Sequence, residues 1–156
     1  MLEIDIPGYR TLRLEHLVLD YNGTLACDGE LLDGVRERLA ALSDRLQIHV
    51  LTGDTFGKAR AGLIGIRCEL SVLPVEGQDQ LKREYVRRLG PDATVCVGNG
   101  RNDRLMLAEA GLGIAVVQAE GAAGQAVLAA AVLAPDILAA LDLLIHPLRL
   151  VATLRS

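Results

Sequence analysis

Short apolar runs alternate with longer amphipathic stretches along most of the chain. Three of the apolar runs are HLVLD, QIHVLT and ATVCVG, which have the length and the β-branched content of buried strands. The stretches between them carry apolar residues at helical spacing, as in LDGVRERLAALSDRL and in GQDQLKREYVRRLG, where Gly90 ends the pattern. This alternation predicts an α/β fold: a three-layer, Rossmann-like domain with a mostly parallel sheet flanked by helices.

The remaining segments extend the same pattern to both ends of the chain. LEIDIPGYRTLRL alternates in polarity on both sides of PGY, which predicts a small N-terminal β-hairpin. Further strands are expected at CELSVLP, LGIAVV and AVLA, and further helices at residues 55–65, 101–111 and 119–130. A last helix is predicted to start at Pro135. No repeat or linker interrupts the pattern, so residues 1–156 are predicted to form a single domain.

Composition restricts the class of function. The chain is 51% apolar with one Phe and no Trp, which is typical of an aliphatic core between helices and a parallel sheet. A net charge of −4 argues against a nucleic-acid partner, and three cysteines without metal spacing favour a reducing, cytoplasmic compartment. The apolar tract 126–145 contains Pro135, Asp136 and Asp142, so we interpret it as a helix end, a strand and a helix rather than a membrane span.

Polar side chains gather where the predicted strands end. The first strand ends at Asp20, followed by Asn22 and Gly23, and the second ends at Thr52-Gly53. The fourth strand is followed by the segment from Asn99 to Asp103. Because ligands of parallel sheets bind outside the carboxyl ends of the strands, these residues are expected to form one site.

These three segments, together with the predicted helix LKREYVRRL, also carry a family resemblance. DYNGTL, VLTGD, LKREYVRRL and VGNGRND, in that order, resemble the four motifs of the haloacid dehalogenase-like (HAD) superfamily of phosphatases and phosphotransferases. They are most similar to the catalytic domain of P-type cation pumps, with DKTGTL, TGD and GDGxND, and to its small soluble relatives. The resemblance covers most of the chain and implies a HAD-like fold.

The resemblance implies a role for each matching residue. Asp20 would be the nucleophile that forms an aspartyl-phosphate. Mg²⁺ would be the cofactor, because a cation must offset the repulsion between this carboxylate and the phosphate. The residues implied as metal ligands are Asp20, the backbone carbonyl of Asn22, Asp103 and Asn99. Those implied as phosphate-binding groups are Gly23, Thr52, Gly53 and Lys82.

Two positions depart from the common phosphatase pattern. Asn22 replaces the second acid of DxD, which protonates the leaving group, and Asn99 replaces the Asp of GDG. An amide cannot transfer a proton in that way, so slow turnover is expected. The sequence thus predicts a slow Mg²⁺-dependent phosphohydrolase or phosphotransferase with catalytic residues Asp20, Asn22, Thr52 and Lys82.

Other interpretations remain open. The chain could be a non-catalytic phosphate- or Mg²⁺-binding regulatory domain. A receiver-like domain is disfavoured, because there an acidic pair ends the first strand and the phosphorylated Asp follows an interior strand, whereas here the first strand ends on Asp20 with Asn22 two residues on. Lys58 is a weaker alternative to Lys82, and Asp54 is expected to cap a helix.

The spacing of the motifs indicates how accessible the predicted site is to a substrate or partner. Only about 30 residues separate successive early motifs, which leaves no room for a cap domain, so the site should be open to a phosphorylated small molecule or macromolecule. A homo-oligomer through the helix in DILAALDLLIHPL is a further hypothesis, although packing on its own sheet is favoured.

Overall fold

The computed structural model describes residues 1–54 and 57–156. In chain order its strands are β1 (Leu2–Ile6), β2 (Arg10–Leu14), β3 (His16–Asp20), β4 (Ala26–Cys27), β5 (Glu30–Leu31), β6 (Gln47–Thr52), β7 (Glu69–Val72), β8 (Thr94–Gly98), β9 (Leu112–Val116) and β10 (Val132–Ala134). Its helices are α1 (Val35–Leu42), α2 (Lys58–Gly62), α3 (Gln78–Leu89), α4 (Arg104–Glu109), α5 (Gly124–Ala129), α6 (Ile137–Ile145) and α7 (Pro147–Leu154). Short 3₁₀ turns lie at Pro91–Ala93 and Arg101–Asp103.

A parallel sheet forms the centre of the fold. Across the described part of the chain it has six strands in the order β10-β9-β8-β3-β6-β7, and every neighbouring pair is parallel. The chain runs outward from β3 to β6 and β7, and then returns to the other side of β3 with β8. This reversal places a crevice beside the carboxyl end of β3, where α/β sheets bind ligands. The predicted α/β fold is confirmed.

The sheet is buried on both faces by aliphatic side chains. Along β3, Leu17 and Leu19 lie in the larger hydrophobic cluster, and Val18 lies in the smaller cluster on the opposite face. Successive side chains of a strand point to opposite faces, so a run of apolar residues is what a sheet covered on both sides requires. The predicted aliphatic core therefore has its physical basis in this three-layer arrangement.

The N-terminal hairpin is also confirmed. β1 and β2 pair antiparallel in a register that joins Leu2 to Leu14 and Ile6 to Arg10. The alternating residues of β1 are buried, and the turn between the strands contains Gly8 with a φ of 76°. The hairpin contacts α7 and the 3₁₀ turn after α3, so it covers the end of the sheet away from the predicted site.

The last predicted helix is wrong in its extent. Asp136 caps α6 by accepting a hydrogen bond from the backbone nitrogen of Ala139 at 2.7 Å, so the helix begins after Pro135 rather than at it. It ends before His146, because a residue that precedes proline disfavours the helical conformation, and Pro147 then begins α7. α6 contacts α1 and the sheet strands β9 and β10. The helix therefore packs on its own sheet, as the favoured interpretation of the sequence predicted.

The lengths and apolar character of the described helices bear on whether any of them could span a bilayer. None of them alone has the length and apolar character of a transmembrane span, and α6 with α7 meets those requirements only as a pair bent by 100°.

A small hairpin follows the first motif, in a segment for which the sequence predicted no strand. β4 and β5 pair antiparallel around Asp28 and Gly29, which have φ angles of 51° and 82°. Two consecutive residues with positive φ are characteristic of a type I′ turn, for which Asp-Gly is a preferred sequence. We call residues 26–31 the flap.

Of the helix predicted at 55–65, residues 55 and 56 lie outside the described residues. The structure has a helix, α2, from Lys58 to Gly62.

Candidate functional site

Asp20 lies at the carboxyl end of the central strand β3, and its side chain is nearly buried. Lys82 Nζ donates a hydrogen bond to Asp20 Oδ1 at 2.8 Å, and Thr24 Oγ1 donates to Asp20 Oδ2 at 3.1 Å. The side chain is 10% exposed, so one approach to the carboxylate stays accessible from the open end of the crevice. Hydrogen bonds therefore hold both oxygens of the Asp20 carboxylate, which a ligand can still reach from solvent.

Lys82 links the two carboxylates that the sequence placed at separate strand ends. It lies in the second turn of α3, with 1% exposure, and its Nζ also contacts Asp103 Oδ1 at 2.7 Å. Burial alone would lower the pKa of this ammonium, but Asp20 and Asp103 outweigh that effect and hold the pKa of Lys82 above its ordinary value. The residue therefore carries a permanent positive charge.

Asp103 is fully buried at the end of the 3₁₀ turn that follows β8. Its Oδ2 accepts hydrogen bonds from the backbone nitrogens of Asn99 at 3.1 Å and Gly100 at 2.8 Å. A Cβ at Gly98 would lie 2.6 Å from the carboxyl carbon of Asp103, so the close approach requires glycine there. Burial and the neighbouring charge of Asp20 raise the pKa of Asp103 to about 6, even though Lys82 and the Gly100 amide act in the opposite direction.

The donor set fits a hard divalent cation. Asp20 and Asp103 contact one ammonium nitrogen, and both oxygens of Asp20 and Oδ1 of Asp103 each accept a single hydrogen bond, so each keeps a lone pair that a metal ion could use. The raised pKa of Asp103 also indicates that additional positive charge would be favourable beside these two carboxylates. Mg²⁺ takes one or two carboxylates and fills its other positions with water or phosphate oxygens, so these residues suit it.

Asn99 occupies a defined position between two loops. Its Oδ1 lies 3.2 Å from Thr24 Oγ1, and its Nδ2 donates to the carbonyl of Gly121 at 3.1 Å. Gly23 packs against this amide with a φ of 79°, and a Cβ there would overlap the Asn99 side chain. Asn99 and Gly23, which the sequence assigned to metal and phosphate, therefore also pack against each other.

The amide of Asn99 matters because its partner is a carbonyl. Asn99→Asp replaces the Nδ2 donor with an oxygen that faces the Gly121 carbonyl, so we expect a loss of about 1–3 kcal/mol in the free energy of unfolding without metal. Urea unfolding measures this loss. Added Mg²⁺ should reduce it, because the new carboxylate is a metal ligand.

The matched control is Asn22→Asp, which makes the same exchange at an exposed position next to Asp20. It should change the free energy of unfolding by less than about 0.5 kcal/mol. If Asn99→Asp is as stable as the wild type without metal, the contact with Gly121 has no energetic importance.

Thr52 and Gly53 lie beside Asp20 at the end of β6. Thr52 follows Leu51, which pairs with Asp20 in the sheet, and its side chain is 1% exposed. Its Oγ1 accepts a hydrogen bond from the backbone nitrogen of Asp54 at 3.1 Å. Asp54 in turn accepts from the backbone nitrogen of Ala59 at 2.7 Å, as expected for a residue that caps α2.

The rival lysine lies elsewhere. Lys58 Nζ contacts the carbonyl of Asp28 at 3.3 Å and Glu30 Oε1 at 3.9 Å, both in the flap. Lys82, and not Lys58, thus contacts the carboxylate of Asp20. Asn22 is exposed just after β3, and Arg101 Nε donates to Gln125 Oε1 at the surface.

Two residues of this site were missed in the sequence. Thr24 is fully buried between Asp20 and Asn99, and its presence in DYNGTL was the signal that could have identified it. Gln118 donates from Nε2 to the carbonyls of Gly23 at 3.0 Å and Thr24 at 2.8 Å. It follows β9, where no motif marks it, so only the fold brings it to the site.

The fold recurs in solved structures of phosphatases and of a cation pump. A 3-deoxy-D-manno-octulosonate 8-phosphate phosphatase from Moraxella catarrhalis, in complex with magnesium, phosphate and KDO, has a TM-score of 0.71 and 13% identity, covering 91% of this chain and 94% of that one. The cobalt-bound form of the Haemophilus influenzae deoxy-D-mannose-octulosonate 8-phosphate phosphatase has a TM-score of 0.70 and 14% identity, covering 92% and 94%. A zinc-transporting PIB-type ATPase in its E2.Pi state has a TM-score of 0.60 and 23% identity, covering 79% of this chain and 20% of that one. The chain has the fold of the HAD-like hydrolases, as its motifs predicted.

Two proteins related in sequence show the family to which the chain belongs. The uncharacterized protein MJ0072 of Methanocaldococcus jannaschii is 49% identical over 39 residues, which are 25% of this chain and 89% of that protein. The uncharacterized protein MJ0073 of the same organism is 40% identical over 78 residues, which are 50% of this chain and 80% of that protein. The chain belongs to the family of these two proteins. No protein-family model matches it.

Proposed function

We propose that the protein is a Mg²⁺-dependent phosphohydrolase or phosphotransferase that acts through an aspartyl-phosphate on Asp20. The observation that carries this proposal is the buried contact of one ammonium, Lys82, with the carboxylates of Asp20 and Asp103 at the carboxyl end of β3. Phosphatases among the structures of the same fold support the general class of reaction.

In the first step a carboxylate oxygen of Asp20 forms a bond to phosphorus, and the bond from phosphorus to the leaving oxygen breaks. Thr24 and Lys82 hold the carboxylate in place through their hydrogen bonds. The hydroxyl of Thr52 and the amide of Gly53 would bind the phosphoryl oxygens. The leaving oxygen keeps the electron pair of the broken bond and takes its proton from water, because the amide of Asn22 is too weak an acid to supply one.

Asp20, Asp103, the carbonyl of Asn22 and the amide oxygen of Asn99 would hold Mg²⁺. When bound, the ion supplies the positive charge that reduces repulsion between the carboxylate and the phosphoryl group. In the second step an oxygen of water or of another acceptor bonds to phosphorus, the bond from phosphorus to Asp20 breaks with its electron pair returning to the carboxylate, and the proton of the acceptor passes to solvent water. Asn22 cannot accept the proton of that water, so this step should be slow.

Asn22→Asp tests the explanation of slow turnover. The introduced carboxylic acid would protonate the leaving oxygen and then activate water, so we expect turnover of alkyl phosphate esters to rise by about 10²-fold or more. p-Nitrophenyl phosphate has a good leaving group and should show a smaller increase. Steady-state release of inorganic phosphate measures both rates.

Asn102→Asp is a control, because it adds the same charge in the loop after β8. Asn102 donates to Gln78 Oε1 at 2.9 Å rather than to Asp20, so its replacement should not increase turnover. Equal rates for the wild type and Asn22→Asp would show that the absence of an acid at position 22 is not the cause of slow turnover.

A non-catalytic phosphate- or Mg²⁺-binding regulatory domain is the second candidate. Its supporting observation is Asn99, whose Nδ2 donates to the carbonyl of Gly121 where the related motif has an acid. Acid quenching after incubation with Mg²⁺ and p-nitrophenyl phosphate distinguishes the two candidates. A protein that gains the mass of one phosphoryl group and releases phosphate is an enzyme. A protein that binds Mg²⁺ and phosphate without either result is a binding domain.

We propose a phosphorylated small molecule or macromolecule as the partner. Between β3 and β6 the chain forms only the flap and α1, and this small structure leaves the crevice accessible. Neither a nucleic-acid partner nor membrane association is proposed, and the homo-oligomer stays a hypothesis that light scattering would test.

A further inference from the structure

The side chain of Gln118 connects the loop after Asp20 to the start of α6. Its Nε2 donates to the carbonyls of Gly23 at 3.0 Å and Thr24 at 2.8 Å, which uses both of its hydrogens. Its Oε1 accepts from the backbone nitrogen of Ile137 at 2.8 Å. All three partners are backbone groups of other segments, so one amide fixes their relative positions.

The end of this connection at α6 is rigidly held. Ile137 is the first residue of α6, and its side chain is fully buried in the larger hydrophobic cluster. The first amides of a helix have no partner within the helix, and Gln118 supplies one. The loop after Asp20 is therefore attached through Gln118 to an element that the core immobilises.

The turn that contains Gln118 contacts two further parts of the site. Residues 118–121 form a turn in which the backbone nitrogen of Gly121 donates to the carbonyl of Gln118 at 2.8 Å. The carbonyl of Gly121 accepts from Asn99, and Glu120 Oε2 accepts from the backbone nitrogen of Asp28 in the flap at 3.2 Å. One turn thus holds the loop after Asp20, the loop after β8, and the flap.

The contacts of Gln118 bear directly on the nucleophile. Thr24, whose carbonyl Gln118 binds, donates its hydroxyl to Asp20 Oδ2. Gly23 directly follows Asn22, whose carbonyl is one of the proposed metal-binding oxygens. A shift of this loop would move the hydrogen bond that orients Asp20 together with that carbonyl.

We infer that Gln118 is a positioning residue for phosphoryl transfer, and that it acts by holding the carbonyls of Gly23 and Thr24 in place. This inference rests on the proposed function. A carboxylate oriented for attack must be held closely, because a displacement of about 1 Å can reduce the rate about 10²-fold.

Gln118→Glu distinguishes the two hydrogen bonds that Gln118 donates from the one that it accepts. The introduced carboxylate can still accept from Ile137, but it presents an acceptor to two carbonyls that need a donor. Gln118→Met has nearly the same length, is neutral and removes all three hydrogen bonds, so it replaces Gln118→Glu if that variant does not fold. Gln47→Glu is the matched control, because Gln47 is exposed at the amino end of β6, on the other edge of the sheet.

The experiment has two readouts on the whole 156-residue chain. The first is kcat and KM for p-nitrophenyl phosphate with Mg²⁺. We expect kcat to fall about 10- to 100-fold in Gln118→Glu with KM nearly unchanged, and both to stay at wild-type values in Gln47→Glu. The second is amide hydrogen exchange in residues 23–26 without metal, which should be about tenfold faster in Gln118→Glu alone.

The outcomes separate this inference from the proposed function. A wild type without turnover rejects the proposed function, and the exchange rates then still decide whether Gln118 holds the loop. Unchanged kcat and unchanged exchange in a folded Gln118→Glu or Gln118→Met overturn the inference. A fall in kcat that only matches the unfolded fraction, measured by thermal unfolding, also overturns it.

Discussion

Lys82→Met should lower the free energy of unfolding by about 3–5 kcal/mol at pH 7.5, because it leaves two buried carboxylates without their shared cation. Asp20 and Asp103 each contact Lys82 Nζ within 2.8 Å, and Lys82 is 1% exposed, so water cannot easily replace the ammonium. Methionine keeps much of the volume of the lysine stem and removes the charge. Urea unfolding measures the change.

The pH dependence of this loss provides a second check. In the wild type the pKa of Asp103 is raised to about 6, above the ordinary value for aspartate, and loss of Lys82 should raise it further. A carboxyl group with a raised pKa in the folded state binds more protons than in the unfolded state, so the folded state gains stability as the pH falls. The loss in Lys82→Met should therefore be largest above pH 7 and should shrink as the pH is lowered through 6.

Lys58→Met is the control for Lys82→Met. Lys58 is 56% exposed and contacts the flap, so its replacement should change the free energy of unfolding by less than about 0.5 kcal/mol at any of these pH values. Similar losses for the two variants would contradict the energetic importance of the buried ion pairs.

Asp20→Asn should reduce turnover of p-nitrophenyl phosphate by at least about 10³-fold and abolish the phosphorylated protein. An amide is not a nucleophile toward phosphorus under these conditions, yet its oxygen can still accept the hydrogen bond from Thr24. Lys82 also keeps its contact with Asp103, so the variant should remain folded. Acid quenching followed by mass measurement detects the phosphoryl group, and phosphate release gives the rate.

Asp33→Asn makes the same exchange at an exposed residue before α1 and should behave as the wild type. Turnover that survives in Asp20→Asn would place the nucleophile at another residue. Turnover that disappears in both variants would indicate a general loss of charge or of folding.

The alternation of apolar runs predicted the layers of this fold because it depends on local geometry. Side chains of a strand alternate between two faces, so HLVLD and ATVCVG could be recognised as strands buried on both sides. The parallel arrangement then brought Asp20 and Asp103 to one edge, as expected. The flap and α7 were missed because a two-residue strand and a helix after Pro147 leave little periodic signal.

The sequence by itself determined the strands, the helices and the edge at which polar residues collect, because burial on fixed faces leaves a periodic pattern. Only the tertiary structure decided the partners of those polar groups. Lys82 binds Asp20 across 62 positions of the chain, and Gln118 binds Thr24 across 94. Hydrogen bonds between such distant residues depend on the spacing of packed elements, and no local pattern of residues records that spacing.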